Sequence, residues 1–85
     1  MTGPLSGVRV VEITNVVAGP STGVQLADQG ADVIKVENPE GGDHTRASAN
    51  TQNGFSANFL NNNRNKRSVT LNLKDDRAKR AFLKI

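Results

Sequence analysis

The sequence predicts an α/β fold: a Rossmann-like β-α-β start of a parallel sheet, incomplete as a domain. Three observations predict it. Two β-branched runs, "VRVVEIT" and "ADVIKVE", flank a segment with helix-start and helix-stop residues. A third run, "RSVTLNL", alternates Val69, Leu71 and Leu73 and leads into an amphipathic tail. That tail reaches Ile85 with no Gly or Pro to stop it, so residues 1–85 are expected to be a truncated or split N-terminal part of a larger domain.

Val8–Thr14 contains no turn residue and is bounded by Gly7 and Asn15, which predicts a strand with few polar positions and hence a buried one. "NVVAGP" makes a loop. Pro20 suits the first turn of a helix, where its missing N–H is not needed, and the helix is expected from Pro20 to Gln29. Val24, Ala27 and Leu26 would face the sheet, and Gly30 suits the left-handed residue that ends such a helix. Ala31–Glu37 is the second strand, parallel to the first. Residues 38–53 carry no apolar pattern and read as a long loop. "FSANFLNNN" holds a helical turn with Phe55, Phe59 and Leu60 inward, and "RSVTLNL" is a third strand with one wet face. Asp75 or Asp76 can cap a last helix whose apolar side is Ala78, Ala81, Phe82 and Ile85.

Composition narrows the chemistry. The 85 residues include three Phe but no Trp, Tyr or Cys, which excludes disulfides, thiolate metal sites and a cysteine nucleophile. No apolar run approaches membrane-spanning length, so the expectation is a cytoplasmic protein away from membranes. The net charge of +3 is unevenly spread: three basic against six acidic side chains up to Asn63, then eight against two. A basic last quarter attracts phosphates, whether on nucleic acid, nucleotide or lipid.

Each local motif has a plain structural reading beside the functional one. A dinucleotide site needs G-x-G-x-x-G after the first strand and an acidic residue after the second. Here the segment is "AGPSTG", where Pro20 and Ser21 stand in place of the middle glycine, so Glu37 reads as a strand-end residue with a structural job. "NNNRNKR" places three cations within four residues but interleaves no aromatic for base stacking, which argues against nucleic acid. In "EGGDHTR" an Asp43–Arg46 pair is expected to close the loop, and His44, the only histidine, is given no role. No metal site is expected.

Taken together, "PLSGVRVVEIT" (Pro4–Thr14), "AGP" (Ala18–Pro20), "LADQGADVIKVENPEGGDHTR" (Leu26–Arg46) and "RNKRSVTLNLK" (Arg64–Lys74) resemble the class III coenzyme A transferases, the CaiB/BaiF group. That family includes formyl-CoA transferase, carnitine CoA-transferase and α-methylacyl-CoA racemase. The resemblance implies the N-terminal part of a Rossmann-like large domain in an interlocked homodimer, with an acyl-CoA and a carboxylic acid acceptor as substrates. In the transferases an aspartate carboxylate attacks the thioester, giving a mixed anhydride and then an enzyme-bound CoA thioester. That aspartate lies downstream of the matched segments, so none of Asp28, Asp32, Asp43, Asp75 or Asp76 is assigned catalysis.

Family contacts to coenzyme A fall on Val17, Ala18, Asn38, Leu71, Asn72, Leu73 and Lys74. Backbone at Val17 and Ala18 would flank the pantetheine arm, Leu71 and Leu73 the adenosine end, and Lys74 would meet a phosphate as a point charge. Formyl-CoA transferase carries Arg where Asn38 stands, Asp where Asn72 stands and Gln where Val17 stands. Two other readings remain: a non-catalytic remnant or partner subunit that assembles with another chain, and a basic nucleic-acid-binding module.

Overall fold

The computed structural model describes residues 2–47, 51–52 and 55–85. β1 (Arg9–Glu12), α1 (Ala18–Asp28) and β2 (Asp32–Glu37) form the expected β-α-β unit. A single 3-10 turn (His44–Ala47), β3 (Thr51–Gln52), β4 (Phe55–Ser56) and α2 (Ala57–Asn63) then lead to β5 (Arg67–Thr70), and α3 (Asp76–Leu83) follows. The main sheet runs β1-β2-β5 with both pairings parallel, so β2 is central. β3 and β4 make a small antiparallel pair of their own.

Strand alternation splits β2 between two environments. Val33, Lys35 and Glu37 lie on one face, Ile34 and Val36 on the other, and all five are buried. Val33 packs with Ala27 and Ala31, joined by half-buried Leu5, Val10 and Leu26, which is the apolar core under α1. Val24 and Ala27 are buried as their helical spacing predicts, and Gly30 takes φ of 102° just beyond the helix. Gly23 permits close approach: a Cβ there would collide with the Glu12 carboxylate and touch the Lys66 side chain.

Several expectations change. Among the described residues β1 has a single strand neighbour, β2, and is open rather than buried, with Val11 38% exposed and Ile13, just past its end, 54% exposed. α1 begins two residues earlier than expected, at Ala18, and Pro20 still lies in its first turn. The long loop after β2 is partly ordered by polar contacts into the 3-10 turn and the β3–β4 pair; residues 48–50 and 53–54 lie outside the described residues. In α2, Ser56 accepts a hydrogen bond from the Phe59 N–H at 3.4 Å and caps the helix. Phe59 is half-buried, but Leu60 is 50% exposed and not inward; the Phe55 side chain lies outside the described set.

β5 ends at Thr70, so Leu71 and Leu73 are not strand residues. A turn wins over the alternation: Asn72 Oδ1 accepts from Lys74 N–H at 3.1 Å and Asn72 C=O from Asp75 N–H at 2.9 Å. Asp75 then caps α3 by accepting from Arg77 N–H at 2.8 Å. Ala78, Phe82 and Ile85 are half-buried, whereas Ala81 is exposed.

Candidate functional site

The C-terminal ends of β1, β2 and β5 open onto one crevice of about 280 Å³, lined by residues 13–15, 36–40 and 71–74. Open parallel sheets bind ligands outside the carboxyl ends of their strands, the edge this crevice occupies. Asn38, Leu71, Asn72, Leu73 and Lys74 therefore come together in one place from two separate segments. Val17 instead lines a second hollow of about 330 Å³ with Val16, His44, Thr45, Asn58 and Asn62. Ala18 is the exposed first residue of α1 and lines neither.

Asn38 builds its own loop. Its Oδ1 accepts from Glu40 N–H at 2.7 Å and its carbonyl from Gly42 N–H at 3.0 Å, turning "NPEGG" back on itself. Gly42 (φ 71°) completes that turn, and a Cβ there would lie 2.5 Å from Glu37 Oε1 and 3.1 Å from Arg46 Nε. Gly42→Ala is expected to lower stability by about 1–3 kcal/mol, from the left-handed φ and the displaced carboxylate together. Urea unfolding checks this, and an unchanged midpoint would refute it.

Behind the crevice lies a buried ionic layer that sequence reasoning missed. Lys35, in the middle of β2 and 1% exposed, meets Glu12 Oε2 at 2.9 Å and Asp43 Oδ2 at 2.8 Å. It also donates to the Thr14 carbonyl at 3.1 Å. Lys66 meets Glu12 Oε1 at 2.6 Å and reaches Pro20 C=O, Asn62 C=O and Asn63 Oδ1 at 2.8–3.0 Å. The approaches to Glu12 Oε1 and Asp43 Oδ2 are ion pairs whose angles fall outside hydrogen-bond geometry. The result is an alternating series Lys66–Glu12–Lys35–Asp43 with no net charge.

Electrostatics follow from these partners. Burial would raise the Asp43 pKa, but Lys35, the Thr45 amide and hydroxyl, and the Val16 amide outweigh it and hold it at about 2. Glu12 is likewise held low: burial opposes ionisation, and Lys66, Thr14 and Lys35 prevail. Burial lowers the Lys66 pKa despite Glu12. Glu37 is held at about 2, chiefly by Arg46, against a burial penalty and with help from the Ser68 hydroxyl and the Asp43 amide.

The expected Asp43–Arg46 pair is thus replaced. Arg46 grips Glu37 with two bonds of 2.7 Å and lies 3.8 Å from the Phe59 ring centroid, while Asp43 turns inward to Lys35. Glu37 has the structural job its position suggested. The basic "NNNRNKR" stretch is also engaged: Arg64 pairs with Asp28 at 2.7 Å, Arg67 with Asp32 at 2.6 Å, and the Lys66 side chain is buried against Glu12. Among the described residues no helix is long and apolar enough to cross a membrane.

The parallel sheet and the crevice at its strand ends have the arrangement in which open α/β folds hold ligands. The model of CoA-transferase family III matches residues 5–85, and the chain belongs to that family. It is 55% identical over 78 residues to a succinate–glutarate CoA-transferase of Agrobacterium fabrum, covering 84% of this chain and 20% of that protein. It is 47% identical over 81 residues to the succinyl-CoA:glutarate CoA-transferase of Mus musculus, covering 91% and 18%. A solved CaiB/BaiF family protein from Brucella suis superposes with a TM-score of 0.87 at 40% identity, over 96% of this chain and 23% of that one. Rv3272 from Mycobacterium tuberculosis gives 0.84 at 44% identity, over 98% and 22%. The chain spans about a fifth of the length of the curated relatives it matches.

Proposed function

We propose that the chain supplies part of the coenzyme A pocket of an enzyme that moves CoA between carboxylic acids. The observation carrying this is the convergence of Asn38 with residues 71–74 on the crevice at the strand ends. A cleft of about 280 Å³ suits one portion of coenzyme A rather than all of it. Half-buried Leu71 and Leu73 offer apolar surface to the adenosine end, and exposed Lys74 offers a cation to a phosphate. Val17 and Ala18 would meet the pantetheine arm on its way out of the crevice. The Asn72 side-chain oxygen is committed to its turn, so its part is to shape the segment. The nucleophilic aspartate is assigned to sequence outside these 85 residues, and the assembly to a cytoplasmic homodimer.

Relatives named for succinate, glutarate and malate favour a short dicarboxylic acid as the exchanging acid. The relative named as a probable fatty acyl-CoA transferase, 45% identical, marks the competing class. The test is CoA transfer from succinyl-CoA to glutarate by the native polypeptide that carries this segment. Transfer is the expected result; neither binding of CoA nor transfer to any acid would overturn the reading. Lys74→Ala should weaken CoA binding about three- to tenfold, with less effect at high salt.

The alternative of a remnant or partner subunit is separated by the coding sequence after Ile85. An in-frame continuation carrying an aspartate in the family's nucleophile context favours the enzyme, and a stop codon favours the remnant. The engagement of Arg64, Lys66 and Arg67 in ion pairs counts against the nucleic-acid module.

A further inference from the structure

Val16, between β1 and α1, has φ of 72°. A β-branched residue rarely adopts this left-handed conformation, so something must hold it there. Side-chain packing does not, because Val16 is 45% exposed. Its amide, however, donates to Asp43 Oδ1 at 3.3 Å across 27 residues of sequence. Asp43 is itself fixed: it is 1% exposed, with Lys35 Nζ 2.8 Å from Oδ2, and with Thr45 amide and hydroxyl bonds of 2.9 and 2.8 Å to Oδ1. Immediately after Val16, Val17 is the cap residue whose carbonyl accepts from Ser21 N–H at 2.7 Å and starts α1. The direction in which Val17 and Ala18 leave β1 is therefore set at Val16.

We propose that Asp43 is a positioning residue for coenzyme A: anchored on Lys35, its carboxylate holds Val16 left-handed and so presents the Val17–Ala18 backbone to the ligand. This rests on the CoA reading above. It assigns the buried end of the ionic series a task beyond holding the fold together. The pair Asp43 and Val16 acts as a clasp between the loop after β2 and the loop after β1, which brings the two hollows described above into a fixed relation.

The experiment is a double-variant cycle in the native polypeptide, with CoA binding measured by calorimetry and KM and kcat by transfer assay. Asp43→Ala should weaken CoA binding about tenfold, the size of a left-handed preference, raising KM more than it lowers kcat. Asp43→Asn keeps an acceptor oxygen in place and should show a smaller loss; it also serves if the alanine variant does not fold. The decisive arm adds Val16→Gly, since glycine adopts positive φ unaided. Val16→Gly should restore most of the lost affinity in either Asp43 background. A purely structural Asp43 predicts the opposite, because a loop glycine adds freedom and repairs nothing. Unchanged CoA affinity in both Asp43 variants, or no recovery with Val16→Gly, overturns the inference while leaving the CoA reading intact. Failure of the unaltered protein to bind CoA overturns both.

Discussion

Lys35→Met is expected to lower the free energy of unfolding by about 3–5 kcal/mol, the cost of leaving buried carboxylates without their cation. Lys35 is the middle cation of the series, and both Glu12 and Asp43 are buried beside it. Methionine fills a similar volume, so lost packing is a small part of the effect. Globular domains have on the order of 5–15 kcal/mol to lose, which makes the substitution severe. The second half of the prediction is more discriminating. Adding Asp43→Asn removes the far end of the series and leaves Lys66 with Glu12 as a matched pair, 2.6 Å apart. The double variant should therefore be more stable than Lys35→Met alone. Urea unfolding followed by circular dichroism decides it: a single variant within about 1 kcal/mol of the parent would sink the account.

Acid should weaken the fold through two carboxylates. In the folded state Glu37 is depressed from 4.5 to about 2 and Asp43 from 3.8 to about 2. The unfolded chain thus binds more protons than the folded one across that interval. The stabilisation is fully present above the unfolded values and is lost as pH falls through the folded ones. Each group contributes roughly 2–3 kcal/mol, with coupling through the Asp43 amide that bonds Glu37 at 3.0 Å. Stability measured from pH 4.5 down to 2 should fall steeply, and Glu37→Gln should remove part of that slope. A flat profile in the parent would contradict the Arg46 and Lys35 contacts as described.

The order β-α-β was legible because Val, Ile and Ala repeat with the right periods, and because Pro20 and Gly30 bracket the helix between them. Burial was less legible. "VRVVEIT" reads as interior, but β2 is its one strand neighbour among the described residues, and Val11 and Ile13 stay open. "RSVTLNL" reads as seven strand residues, yet the side-chain and backbone oxygens of Asn72 close a turn that ends pairing at Thr70. The Asp43–Arg46 expectation relied on nearness in sequence; the actual partners, Lys35 and Glu37, come from the strand before the loop. The ionic layer did leave a signal. Glu12 and Lys35 each interrupt an otherwise apolar run, and parallel pairing makes them direct neighbours. The crevice residues came from family resemblance, not periodicity, since Asn38 and Lys74 look like ordinary turn residues when read alone.

That Glu12–Lys35 pairing has a consequence for how the chain chooses its alignment. Val and Ile along β1 and β2 would tolerate a slide of two residues, which keeps every side chain on its original face. In the observed pairing Val10 sits beside Val33 and Glu12 beside Lys35. A slide one way would set Glu12 against Glu37, two buried carboxylates together; a slide the other way would set it against Val33, with no cation. Greasy residues glue the strands but barely tell one offset from the next. A single pair of opposite charges acts as the index mark that makes one offset win.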